Sequence, residues 1–199
     1  MILSVDTTSE FGSIALVEAG QVLGEQPMHS PDGFGHVLYG QLELFLARHN
    51  IRLEQIDCFA GASGPGSFTG VRVGLAAIKG LAEAVGRPAV GVSNLRALAY
   101  YGTAPFRAVM LDARRGEVYA ALYDSNLQVV GEEAVLKYAD WIATLPLQDI
   151  EFVIAPRALA AAVGQIAERI FQSGQALDPA AIDANYVRRS DAELLFRPG

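Results

Sequence analysis

Two stretches of the chain lie over each other. Asp6–Glu18 (DTTSEFGSIALVE) aligns without a gap on Asp112–Asp124 (DARRGEVYAALYD), matching Asp6 with Asp112, Ala15 with Ala121 and Leu16 with Leu122. One added residue, Leu127, then brings QVLGE from Gln21 opposite QVVGE from Gln128. Each copy reads as a strand ending in Asp, a polar turn, a second strand, a turn and a third strand. The copies stand too far apart for a solenoid unit, so the pattern predicts two related units side by side, spanning 1–103 and 104–199. Two unrelated β-meanders would also look alike; the shared Asp and the near-constant register favour duplication.

Between the copies, HVLYGQLELFLARHN places Leu38, Leu42, Phe45 and Leu46 at helical spacing. IDCFAGAS reads as a buried strand, a glycine-rich loop leads into a second helix, and PAVGVS is a strand closed by Ser93 or Asn94 as a helix cap. The order β-β-β-α-β-α, used twice, is the α/β architecture of the actin, hexokinase and Hsp70 (ASKHA) class. That class holds ATP between its halves, partly on the turn after the first strand of each, an Asp followed by Gly and Ser/Thr. The corresponding turns here are Asp6-Thr7-Thr8-Ser9 and Asp112-Ala113-Arg114-Arg115, and neither has the glycine. Backbone N–H groups approach a phosphate most closely at Gly, which tolerates positive φ, so both turns read as degenerate phosphate sites. Arg114 and Arg115 beside Glu117 could meet phosphate, although such a pair is more often a solvated or salt-bridged turn. The last third, with strand IEFVIA, helix RALAAAVGQIAERIF and DANYVRR, reads as scaffold.

The loop GASGPGSFTG from Gly61 looks like phosphate chemistry, but its spacing excludes the known forms. A P-loop needs Lys after its last glycine, and Gly70 is followed by Val71 and Arg72. The dinucleotide fingerprint needs two residues between its last glycines, and Gly66 and Gly70 are separated by Ser67, Phe68 and Thr69. What remains is a helix start with Ser67 or Thr69 as its cap. His29, His36 and His49 offer no His-x-x-x-His pair for a metal, and no serine, histidine and acid set can be assembled. The lone Cys58 sits in an apolar run and reads as a small packed residue. A net charge of −7 argues against this chain gripping nucleic acid by itself, because phosphate affinity comes from Lys and Arg. No membrane span or signal peptide is visible, so a soluble, cytoplasmic protein is expected.

The second helix, VRVGLAAIKGLAEAV, carries only Arg72, Lys79 and Glu83 as charges, leaving apolar or small residues on every other side. Such a helix has two flanks to bury. The small series Ala76, Gly80, Ala84 also lets another helix come close. The expectation is that the two helices present a face to another chain, made by His36, Leu38, Leu42, Phe45, Val71, Gly74, Leu75, Ile78, Leu81 and Ala82. Purely internal burial of these residues is the competing reading. On the interface reading, Ile78→Asp abolishes association and leaves the monomer folded.

SGPGSFTGVRVGLAAIKGLA, the opening ILSVDTTS, LDARRGEVYAALY and the late NYVR together resemble the TsaB (YeaZ) family. That resemblance implies a non-catalytic subunit of the machinery that makes N6-threonylcarbamoyladenosine at position 37 of tRNA. It implies TsaD as the catalytic partner, TsaE as an ATPase reached through the complex, and a helical interface used for a homodimer or for TsaD. ATP and metal are then expected on the partner subunits, with none on this chain and tRNA met only indirectly. The competing function is an autonomous enzyme of the same fold class, a small-molecule kinase or a glycoprotease-like metallopeptidase.

Overall fold

The computed structural model describes residues 1–145, 148–154 and 157–187. Its centre is β1 (Ile2–Asp6), five residues that are all buried, which is why ILSVD is a continuous run rather than an alternating one. β2 (Phe11–Glu18) pairs antiparallel with β1, β3 (Gln21–His29) pairs antiparallel with β2, and β4 (Cys58–Ala62) lies parallel to β1. β5 (Ala89–Val92) completes a mixed sheet of order β3-β2-β1-β4-β5. Parallel neighbours require crossovers, and α1 (Leu38–Arg48) and α2 (Phe68–Val85) supply them. Period-two alternation along β1 sends Leu3 and Val5 into a core with Leu38, Phe45, Leu75 and Ile78, and sends Ile2 to the other face.

That other face is covered by a helix from the far end of the chain, α5 (Ala160–Gln172). No local side chain caps α5. Its first N–H groups are satisfied across the fold instead, with Ala160 N donating to Ser13 Oγ at 2.9 Å and Ala161 N to Glu25 Oε1 at 2.9 Å. Ser4 Oγ donates to the Ala160 carbonyl at 2.7 Å, and Gly20 N to Glu168 Oε2 at 2.7 Å. The helix sits this close because Gly164 faces β1 and β2: a Cβ there would lie 2.7 Å from Val17 Cγ2 and 2.8 Å from Ser4 Oγ.

A second sheet has the order β8-β7-β6-β9, formed by β6 (Phe106–Arg114), β7 (Glu117–Asp124), β8 (Ala134–Lys137) and β9 (Ile150–Phe152). In both sheets the third, second, first and fourth strands of each half stand in that order, with the first and fourth parallel. The short α3 (Asn94–Ala99) packs on β6, β7 and α5, while α4 (Tyr138–Thr144) covers the outer face through Trp141 against Ala108, Ala120 and Leu122. Val90, Leu95, Val109, Tyr123 and Val163 lie in one core cluster, so side chains on both sides of residue 103 are buried together.

One element departs from the alignment of the two copies. QVVGE is not the third strand of the second sheet: it meets the end of β7 through Asp124 N to the Gln128 carbonyl at 2.9 Å, Val130 N to the Leu122 carbonyl at 2.7 Å and an isolated bridge of Val129 to Tyr123, and β8 begins at Ala134. Asp124 Oδ1 accepts from Asn126 N at 2.9 Å and Gln128 N at 2.8 Å, and Leu127 sits at φ 61°. This turn and the positive φ of Gly131 (88°) send the chain away before a ladder can form. None of the helices among the described residues is long and apolar enough to cross a membrane.

Candidate functional site

The first of the two turns closes on itself. Asp6 is 2% exposed, and its Oδ1 accepts from Thr8 N at 2.9 Å and from Thr8 Oγ1 at 2.6 Å. Thr8 Oγ1 in turn accepts from Asn94 Nδ2 at 2.6 Å, and Asn94 Oδ1 accepts from Gly64 N at 2.9 Å. Burial pushes the Asp6 carboxyl above its ordinary value of 3.8, against the pull of the Thr8 hydrogen bonds. In the range above 3.8 the unfolded chain has released this proton while the folded chain still holds it. Asp6 therefore makes a contribution to stability that falls as the pH rises through that window. Asp6→Asn keeps an acceptor for Thr8, and the gap in thermal midpoint between wild type and variant is expected to move in the variant's favour as the pH is raised from about 4. A gap that stays constant with pH would show that Asp6 titrates alike in both states.

The glycine-rich loop is what fills the turn. Ser67 N donates to the Thr8 carbonyl at 2.6 Å, and Thr7 Oγ1 donates to the Gly70 carbonyl at 2.7 Å. A Cβ on Gly66 would meet the Thr8 carbonyl oxygen at 2.6 Å, on Gly70 the Thr7 carbonyl oxygen at 2.1 Å, and on Gly74 Thr7 Oγ1 at 2.4 Å. These three glycines thus serve close backbone approach between loop, helix and turn, and the hydroxyl of Thr7 is spent inside the chain. Ser67 caps α2, its Oγ accepting from Gly70 N at 3.2 Å.

Beside the turn lies a cleft of about 420 Å³ whose polar lining includes Ser9, Glu10, Asp32, His36, Ser67 and Thr69. Its charged lining is acidic, with no Lys or Arg, so a phosphate there would meet two carboxylates against the Ser9, Ser67 and Thr69 hydroxyls, the His36 ring and the α2 N-terminus. Among the lining residues no arginine or lysine is placed to pair with a nucleotide's phosphates. The second turn is open where the first is closed: Asp112 is exposed, its Oδ1 accepting from Arg114 N at 2.8 Å and its Oδ2 lying 3.7 Å from the Arg114 guanidinium. Arg114, Arg115 and Gly116 all have positive φ. No group of three or more His, Cys, Asp and Glu residues stands at metal-binding distance among the described residues. Cys58 is a buried free thiol, pushed up to about 12 by desolvation.

The expected partner face needs correction. Leu38, Leu42, Phe45, Val71, Gly74, Leu75, Ile78 and Ala82 are all buried within the chain, Leu81 is half-buried, and only His36 is exposed, at the cleft. The large side chains of both helices go to the sheet, where most apolar area is removed from water. The face left outside carries Tyr39 (59% exposed) and Leu44 (53%) on α1, with Ala76, Gly80 and Ala84 exposed on α2. The two helices are neighbours there, the Cβ position of Gly80 lying 4.0 Å from the Tyr39 hydroxyl oxygen. The small-residue series was readable in sequence, but nothing there marked Tyr39 as its companion.

The NYVR stretch is placed as far as Val187, and Arg188 lies outside the described residues. Asn185 N donates to the Ser63 carbonyl at 2.7 Å, and its Nδ2 donates to Glu133 Oε2 at 2.5 Å. Glu133 Oε1 also accepts from Ser93 Oγ and from the Tyr123 hydroxyl. Burial and the neighbouring Glu133 carboxylate drive the Tyr123 phenol well above its usual range.

The fold and the sequence have counterparts among known proteins. The family described as "TsaD: tRNA N6-adenosine threonylcarbamoyltransferase" matches residues 35–176. The tRNA threonylcarbamoyladenosine biosynthesis protein TsaB of Escherichia coli is 37% identical over 144 residues, covering 68% of this chain and 62% of that protein. The Bacillus subtilis protein of the same name is 31% identical over 154 residues, covering 74% of this chain and 67% of that protein. Among solved structures, YeaZ from Pseudomonas aeruginosa superposes with a TM-score of 0.78 at 25% identity, covering 93% of this chain and 98% of that one. The chain belongs to the TsaB (YeaZ) family. The matched stretch spans 62% of the Escherichia coli protein and 51% of its Haemophilus influenzae counterpart.

Proposed function

We propose that this chain is the non-catalytic subunit of the assembly that makes N6-threonylcarbamoyladenosine in tRNA, and that it supports the catalytic subunit TsaD by docking it. In this reading TsaE is reached through the complex, tRNA is met indirectly, and ATP and metal are held by the partner subunits. A homodimer on the same face is the resting form of the free chain. The two halves, 1–103 and 104–199, are taken as a duplicated ASKHA-type pair whose first phosphate turn has been filled by its own glycine-rich loop.

The observation that carries this is the exposed side of α2, where Ala76, Gly80 and Ala84 stand in series and the exposed Tyr39 of α1 lies beside Gly80. Small side chains let a partner helix approach closely, and the exposed Tyr39 ring beside them gives it area to cover. The closed turn at Asp6 favours a binding role over an autonomous kinase, since the Thr7, Thr8 and Ser9 hydroxyls and the Thr8 N–H already have partners within the chain.

Gly80→Arg tests the reading. The site is open to solvent, and replacing a mid-helix Gly raises helix stability by about 0.5–1 kcal/mol. The variant is expected to melt at or above the wild-type midpoint while failing to comigrate with TsaD in gel filtration, and to lose support of tRNA modification with TsaD and TsaE. Full complex formation by Gly80→Arg, or ATP turnover or peptide cleavage by the purified chain alone, would reject the proposal.

A further inference from the structure

The first turn of α2 carries a planar stack that the docking face has not yet used. The guanidinium carbon of Arg72 lies 3.7 Å from the centre of the Phe68 ring and 5.9 Å from that of Tyr186. Its Nε donates to the Tyr186 hydroxyl at 3.0 Å, and the two rings stand 5.7 Å apart. Phe68 is 47% exposed and Tyr186 49% exposed, an unusual outlay of aromatic surface. The described residues give Arg72 no carboxylate partner, and its two Nη groups make no hydrogen bond among them. One donor is fixed, the plane is fixed, and among the described residues the rest of the fork is uncommitted.

A guanidinium held this way has given up its rotamer freedom before anything binds, so a bidentate partner gains contact at reduced entropic cost. The matching group is an oxyanion that offers two acceptor oxygens side by side, a carboxylate or a phosphate. The surroundings choose between them. The chain carries a net charge of −7, so the many phosphates of a nucleic-acid backbone are repelled far more than one carboxylate, whose single charge the Arg72 cation offsets at short range. The stack is also continuous with the docking face, since Arg72, Ala76 and Gly80 follow one another at four-residue steps along the exposed side of α2. Arg and aromatic residues are the types that carry most interface energy.

We infer that Phe68, Arg72 and Tyr186 form the hot spot of the docking face, with the Arg72 guanidinium taking an Asp or Glu carboxylate of the docked protein. This rests on the reading of the α1–α2 face as the TsaD-binding surface. It brings the C-terminal segment into the interface, because Tyr186 is steadied through Asn185 by Glu133 and by the Ser63 carbonyl.

The test is calorimetric titration of TsaD from the same organism with the full chain, its Arg72→Ala, Arg72→Lys and Tyr186→Phe variants, and Gly80→Arg beside them. Arg72→Ala and Arg72→Lys are both expected to weaken binding about tenfold or more, Lys failing because it keeps charge but not the planar fork. Tyr186→Phe should weaken it less, and the salt dependence of wild-type binding should be reduced in Arg72→Ala. Apart from any partner, the Arg72 Nε–H is expected as a protected NMR resonance that is lost in Tyr186→Phe; an unprotected resonance in the wild type would remove the preorganisation argument. Wild-type affinity in Arg72→Ala with loss in Gly80→Arg sinks the hot spot alone, whereas no loss in either sinks the docking face beneath it. If Arg72→Ala weakens self-association in sedimentation but leaves TsaD binding intact, the carboxylate belongs to a second copy and the inference is overturned.

Discussion

Ile78→Asp is expected to unfold this chain. Ile78 is 0% exposed and packs in the cluster that contains Leu3, Phe45, Phe59 and Leu75. Truncating such a side chain costs about 2–5 kcal/mol, and the carboxylate put in its place adds the desolvation of an unpaired charge. The sum is of the same size as the ~5–15 kcal/mol by which a domain is stable at all. Soluble yield and a cooperative melt are the measurements, and a wild-type midpoint in the variant would return Ile78 to the surface where sequence pattern placed it. Gly80→Arg, two residues further along the same helix, is the opposite case. The contrast separates the buried face of α2 from the docking face more sharply than either variant alone.

Gly70→Ala is expected to be the most damaging single-methyl change in the chain. Its Cβ would lie 2.1 Å from the Thr7 carbonyl oxygen and 3.2 Å from Ser67 Cβ, so the α2 N-terminus must move away from the β1–β2 turn. The obstacle is backbone, and no side-chain rotation relieves it. Overpacking of this kind costs about 1–3 kcal/mol, and here it also strains the Thr7 Oγ1 to Gly70 carbonyl hydrogen bond. Urea denaturation should show a lower midpoint with an unchanged slope. Ala at Gly80, where only the Tyr39 hydroxyl comes near, should instead stabilise by about 0.5–1 kcal/mol. Equal effects at the two positions would remove the account of the loop as a close-packing device.

The meander, the first helices and the cap at Ser67 were legible because each rests on local chemistry. ILSVD and GSIALVE alternate or run apolar as strands do, and Ser67 and Thr69, the two caps the sequence offered, stand before an apolar run of helical period, of which the structure uses Ser67. The third strand of the second half was misplaced because QVVGE has strand composition while its pairing is decided by the Asp124 turn before it. α5 was readable as a helix, but its cover of the first sheet depends on Ser13 and Glu25, far away in sequence.

At the site the division is the same. Sequence showed that the Asp6 and Asp112 turns lack the glycine of a phosphate turn, and that the loop from Gly61 matches no phosphate motif. It did not show that these two features pack on each other, with Thr7 and Thr8 seated against Gly66, Gly70 and Gly74. Nor did it separate the face of α2 that meets the sheet from the face that meets solvent, since both are apolar or small.

Family membership, the element order of the first half and the absence of a known phosphate-loop spacing were therefore determined by the sequence alone, because motif spacing and hydrophobic period are local properties. Which residues are left outside for a partner was decided only by tertiary structure. Burial is a property of what lies opposite a side chain, so Ile78 went to the core, and Tyr39, Gly80 and the Phe68–Arg72–Tyr186 stack stayed at the surface.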